Sequence, residues 1–213
     1  SHVLKQRLNK PNAIGAKVTE IAELWRDYYN MPDAFDPAAD FDHLFEDGDT
    51  FTIGELSVRV MLSPGHTLGS ITYVVGSDAA FVHDSFMQTD VGTARADFPG
   101  GSAKSLWDSI QQILTLPGDT RLFTGHDYMP DDREPQWESS VDEQRANNPH
   151  LVGKSEGEYI ALRHQRDGEL PMPKLILHAL QVNTRGGRLP EPEANGKRYL
   201  KIPLDALEGA AWD

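Results

Sequence analysis

The sequence of 213 residues contains no cysteine. Disulfides, thiolate metal sites and a cysteine nucleophile are therefore excluded, and any metal must be held by His, Asp or Glu. A cysteine-free chain also fits a reducing compartment. No apolar run approaches the ~18 residues that a membrane-spanning helix needs. Cations are scarce: 20 Lys and Arg stand against 33 Asp and Glu, a formal net charge of −13. Phosphate neutralisation needs clustered cations, so nucleic acid is not an expected partner. An anionic small molecule held by one or two local arginines remains open. Internal repeats and low-complexity tracts are lacking, and no signal-peptide pattern opens the chain at Ser1, although a removed one would leave no trace.

What is present suits a folded domain. Hydrophobic residues make up 38% and charged residues 25% of the chain, enough for a core. Residues 16–29, AKVTEIAELWRDYY, predict an amphipathic helix with Val18, Ile21, Leu24 and Trp25 on one face. Residues 31–49, rich in Asp, Pro and Ala, predict a connecting loop. From Thr50 the apolar period becomes two. TFTIG and LSVRVMLS predict strands joined at Gly54-Glu55, and SITYVVG and AAFVH predict two more, turning at Gly76-Ser77-Asp78. The run Tyr73-Val74-Val75 predicts burial on both faces.

Residues 102–116 predict a helix with Ser102 as N-cap and Pro117-Gly118 as its stop. RLFTG at 121–125 predicts a short buried strand that delivers His126. Residues 137–147 and 155–166 predict further helices; PKLILHALQVN predicts another, and RYLKIP a short strand. Strands first, then strands alternating with helices, imply a layered α/β or α+β domain.

His66, Asp84 and His126 each follow or end a predicted strand beside a turn. Strand ends hold side chains rigidly while the next loop leaves room for a ligand. Imidazole and carboxylate are the ligands expected for Zn²⁺ or Fe²⁺ where no thiolate exists, and two His with one carboxylate can form the facial triad of a non-haem Fe(II) oxygenase. The bland reading stands beside this one: a His at a strand end is more often a hydrogen-bonded structural residue, and Asp84 suits a turn. The separations of 18 and 42 residues between the three are not local ligand motifs. His83 and Asp84 are neighbours and would point to opposite faces of an extended strand, so Asp84 is the preferred ligand and His83 a supporting or packing residue. Arg95 can fork onto Asp97 or onto a substrate carboxylate.

Taken together, these segments resemble the metallo-β-lactamase superfamily. SPGHT at 63–67 is similar to its third metal-site motif, FVHD at 81–84 to the strand ending in the ligand Asp, and FTGHDY at 123–128 to the segment with the last His. That family usually has Gly where this chain has His83. Within the superfamily, GTARADFPGGSAKSLWDSI, LPGDTRLFTGHDY and EQRANNPHL follow the persulfide dioxygenases in order, and the tail LQVNTRGGRLPEPEANGKRYLKIPLDAL looks like their bacterial β-lactamase-like relatives.

The resemblance implies an α+β fold, an αββα sandwich, formed by residues 1–170 with residues 171–213 packed on it as an extension. It implies a mononuclear Fe(II) that oxidises glutathione persulfide with O₂ to sulfite and glutathione. His66 and Asp84 match two iron ligands, Arg95 and Tyr128 match positions that hold the glutathione part, and His126 matches the second-metal ligand of dinuclear relatives. The compartment implied is the bacterial cytoplasm, or the mitochondrial matrix in a eukaryote.

The superfamily signature H-x-H-x-D-H, which supplies the third ligand, does not occur in these 213 residues. Residues 1–8 look like the helix that follows it. The expectation is therefore a portion of a longer protein, with a sandwich incomplete at its N-terminus, weak metal binding by this chain alone, and an open sheet that favours pairing with a second copy. Two alternatives stand. One is a zinc hydrolase of an acylglutathione thioester, as in glyoxalase II, with one or two zincs, Asp84 bridging and His126 a ligand. The other is a metal-free binding or assembly module.

Overall fold

The structure is a computed structural model that describes residues 2–205; Ser1 and residues 206–213 of the expected extension lie outside the described residues. The chain divides into two compact units, one of residues 1–45 with 170–213 and one of residues 46–169.

In the first unit, helix α1 (His2–Leu8) precedes strand β1 (Ala13–Gly15), helix α2 (Val18–Tyr29), helix α3 (Pro37–Asp40) and strand β2 (His43–Phe45). The face of α2 buries Val18, Ala22, Trp25 and Tyr29, spaced by four, three and four residues as a helical stripe requires. Helix α7 (Ile176–Asn183) brings Leu177 into the same cluster with Phe35, and the Tyr29 hydroxyl donates to the Leu177 carbonyl at 2.7 Å. Residues 31–49 are thus not one loop, as their composition suggests. Asp36 caps α3 by accepting from the Ala38 amide at 3.1 Å, and Pro37 opens the helix, a start that needs no long apolar pattern. Strand β2 then pairs with β1 in parallel, a long-range contact that a local window cannot register. RYLKIP, expected as a strand, has no ladder partner among the described residues and is not a strand.

The second unit carries strands β3 (Thr50–Ile53), β4 (Leu56–Leu62), β5 (Ile71–Val75), β6 (Ala79–His83), β7 (Arg121–Thr124) and β8 (Glu138–Ser140) in one sheet, ordered as in the chain. All neighbours are antiparallel except β6 and β7. A parallel pair needs a crossover, which contains helix α4 (Ala103–Ile113). Ser102 caps α4 by accepting from the Ser105 amide at 3.2 Å, as its sequence predicts. Helices α5 (Val141–Asn147) and α6 (Glu156–Gly168) each begin with a capping box, at Ser140 and Ser155. Residues 137–147, expected as one helix, are divided: 138–140 join the sheet edge as β8 before α5 begins. Met61, Ala80, Val82 and Leu122 from the sheet and Leu106, Ile110, Ile113, Val141 and Tyr159 from the helices form the core. Tyr73, Val74 and Val75 are only half-buried, so the expectation of burial on both faces of β5 fails there. Among the described residues, no helix is long and apolar enough to cross a membrane.

Candidate metal centre

Three segments converge at the carboxyl ends of β4, β6 and β7. His66 follows β4 by way of the turn Pro64-Gly65, where Gly65 has φ +140° and its Cα faces the backbone of Leu106 in α4. Its imidazole is oriented from behind: Nδ1 lies 2.7 Å from the Arg95 carbonyl oxygen. A carbonyl only accepts, so Nδ1 carries the proton. In a neutral ring Nε2 then presents a lone pair, and it faces Asp84 Oδ2 at 3.4 Å. Two electron-rich atoms turned toward each other in a largely buried position suit a cation between them, and a carbonyl-oriented imidazole is the usual form of a metal-binding His. Phe98 closes one side of the His66 ring, edge to face at 5.3 Å.

Asp84 is the hub. Its Oδ2 faces His66, while Oδ1 lies 3.7 Å from His126 Nε2. Burial pushes the carboxyl up, but a proton on the facing His66 nitrogen when no cation stands there, together with the nearby His83 and His126, outweighs it and holds it below the usual carboxylate range. It is therefore an anion at neutral pH, as a metal ligand must be. Its space is left by Gly125, whose missing Cβ would stand 2.3 Å from Asp84 Oδ1. The donor set of two imidazoles and one carboxylate fits Fe²⁺ or Zn²⁺. Among the described residues, no group of three or more His, Asp or Glu has the spacing of a complete site.

His83 is placed otherwise than strand alternation predicts. It ends β6 with φ +54°, and the register against β7 shifts between Phe81 and His83. The left-handed backbone, which glycine adopts most readily, breaks the alternation. His83 consequently turns toward the site rather than into packing: Nδ1 lies 4.0 Å from Asp84 Oδ2, and its ring centroid lies 6.0 Å from that of His66.

Arg95 makes the internal fork foreseen as one of its two options, with Nε and Nη2 each 2.6 Å from an Asp97 oxygen. Its guanidinium also lies over the Phe98 ring at 4.9 Å. Tyr128 is exposed, with its ring edge to face against His126 at 4.8 Å. The structure thus brings His66, Asp84 and His126 together and sets Arg95 behind His66 and Tyr128 beside His126. It also shows what sequence reasoning missed: a buried polar group of Gln144, Asn148, His150, Tyr159, Arg163 and Asp167. The spacing of Arg163 and Asp167 was visible, but a pair four residues apart on a helix reads first as a solvated face.

No protein-family model matches the chain. A β-lactamase hydrolase-like protein of Xylella fastidiosa is 64% identical over 209 residues, which are 98% of this chain and 48% of that protein. The chain thus spans about half the length of that relative. A probable metallo-hydrolase of Burkholderia pseudomallei is 46% identical over 215 residues, covering 96% of this chain and 73% of that one. The mitochondrial persulfide dioxygenase of Homo sapiens is 35% identical over 144 residues, 67% of this chain and 53% of that one. Among solved structures, ETHE1 from Myxococcus xanthus superposes with a TM-score of 0.70 at 28% identity, covering 88% of this chain and 71% of its own. The likeness to the Burkholderia protein over nearly all of this chain, together with the shared fold, shows that the chain belongs to the metallo-β-lactamase superfamily.

Proposed function

We propose that this chain forms part of a mononuclear non-haem Fe(II) site which, in the complete protein, oxidises glutathione persulfide to sulfite and glutathione. The overall reaction balances as persulfide, O₂ and water giving thiol and sulfurous acid: the outer sulfur loses four electrons and O₂ accepts four. When bound, iron supplies a redox-active Lewis acid open to both reactants. His66 and Asp84 would hold it, with a third ligand from outside the pair. Arg95, its guanidinium held by the Asp97 carboxylate, would orient the anionic glutathione end, and Tyr128 would offer a hydroxyl along its path. Phe98 keeps water from one face of His66.

The observation that carries this reading is the pairing of His66 Nε2 with Asp84 Oδ2 at 3.4 Å while the His126 side chain stays 45% exposed. One well-seated nitrogen–oxygen pair with an open flank suits one metal and two exchangeable positions. The likeness to the human persulfide dioxygenase and the Myxococcus protein supports the choice of reaction. The test is metal content and O₂ uptake with glutathione persulfide, measured on the complete protein. About one iron per chain and persulfide-dependent O₂ consumption are expected; protein without iron and without O₂ consumption rejects the reading.

A specific observation favours a second reading. Asp84 turns one oxygen toward His66 and the other toward His126, so the three residues would also be able to hold two metals. That arrangement suits a zinc hydrolase of a thioester, in which a hydroxide attacks the carbonyl. Two zincs per chain and thioester cleavage without O₂ would establish it over the first.

A further inference from the structure

Residues 87–97, between β6 and α4, contain no helix or strand, yet they supply the carbonyl that orients His66. Their backbone groups are taken up in turn by buried side chains of α5, α6 and the turn between them. Gln144 Nε2 donates to the Met87 carbonyl at 2.9 Å and Asn148 Nδ2 to the Gly92 carbonyl at 3.0 Å. The Thr93 amide donates to His150 Nδ1 at 2.8 Å. This approach needs Gly92, since a Cβ there would stand 2.3 Å from that nitrogen. Arg163 Nη1 donates to the Thr93 carbonyl at 2.8 Å, and the Ala96 amide donates to Asp167 Oδ2 at 2.9 Å. Arg163 Nη2 closes the circuit on Asp167 Oδ1 at 2.6 Å.

Arg163 and Asp167 are 2% and 4% exposed. Ion pairs four residues apart on a helix usually lie in water and contribute little. Taking both charges into the interior carries a desolvation cost that only good geometry offsets. Here each partner also bonds the same loop, one on either side of Arg95. The pair spans the peptide groups that set where the Arg95 carbonyl points.

We infer that Arg163 and Asp167 are positioning residues for His66. By fixing the Thr93 carbonyl and the Ala96 amide, they hold the Arg95 carbonyl that keeps the His66 proton on Nδ1 and turns Nε2 toward Asp84. The geometric link stands alone; its consequence for metal binding rests on the reading of His66 as a ligand. The two substitutions that separate positioning from mere support are Asp167→Asn, which keeps shape and loses charge, and Arg163→Lys, which keeps charge and loses the fork.

Nitrogen-15 NMR of histidine rings in the 213-residue chain, without metal, reads the His66 tautomer directly. The wild-type chain should show the Nδ1–H form with a slowly exchanging proton. Both variants should give mixed tautomers and exchange at least about tenfold faster, and Zn²⁺ affinity should fall about 10- to 100-fold. Ile110→Ala, a core variant that removes none of the loop's hydrogen bonds, should destabilise the chain and leave the His66 signals in place. Unchanged His66 signals in Asp167→Asn and Arg163→Lys, or an equal change in Ile110→Ala, overturn the inference. Should either variant not fold, the wild-type chain still decides. The Ala96 amide and the His66 Nδ1 proton should then share one opening event, with protection within about threefold; a difference above about tenfold overturns the link. If the His66 signature responds as expected but no metal binds the complete protein, the positioning role stands and the proposed function fails.

Discussion

A side chain on Gly125 would place its Cβ 2.3 Å from Oδ1 of Asp84, so the carboxylate occupies the space this glycine leaves. Gly125 lies one residue beyond β7 and one before His126. It therefore couples two of the three converging segments. Gly125→Ala should displace the Asp84 carboxylate while leaving the sheet formed. Calorimetric titration with Zn²⁺ should show affinity lower by about tenfold or more, as for loss of a group that orients a ligand, with circular dichroism unchanged. Undiminished affinity would mean that Asp84 is not a ligand.

Gly65 answers to a different constraint. A Cβ there would stand 2.3 Å from the backbone of Leu106, and its φ of +140° is itself unfavourable for other residues. Neither the helix backbone nor the turn can yield cheaply. Gly65→Ala should cost about 2 kcal/mol or more in urea unfolding, a larger loss than Gly125→Ala, whose obstacle is a side-chain tip.

His150 predicts an acid-labile fold. Burial, helped by the Arg163 charge, pushes its pKa down to about 4. An unfolded histidine titrates near ~6.5. Between these values the unfolded chain takes up a proton that the folded chain refuses. Stability should therefore fall as pH drops through this window and level off below it, by at most about 3 kcal/mol. Urea unfolding across pH 4 to 7 measures the slope, and His150→Gln should flatten it.

Arg95 separates two roles within one residue. Its carbonyl orients His66, and its guanidinium forks onto Asp97. Any residue supplies the carbonyl; only arginine supplies the fork. Under the proposed function, Arg95→Lys should keep metal content and raise KM for glutathione persulfide about tenfold, the loss expected for one charge-assisted hydrogen bond. A loss of metal instead would place Arg95 in the support of the fold.

Much of this molecule is legible in the order of its residues. Period-two runs from Thr50 to His83 fix four strands and their turns, because strand alternation and turn glycines are local properties. Ser102 marks a helix start for the same reason, whereas Ser140, inside a stretch expected to be helical throughout, caps α5 only because residues 138–140 join the sheet. His66, Asp84 and His126 were legible as candidates because strand ends are where a sheet presents side chains. Other features were decided only by tertiary contacts. The short strands β1, β2 and β8 exist because a distant partner offers a ladder, and RYLKIP is not a strand because none of the described residues does. The side of β6 to which His83 turns depends on a register shift against β7, which pairs residues some forty positions apart. The tautomer of His66 depends on a carbonyl 29 residues away, held in turn by an ion pair from α6. A sequence determines which groups are available and how each short segment bends. Which nitrogen faces which oxygen is set by the packing of segments far apart in the chain, where the burial of polar groups leaves few arrangements that satisfy them all.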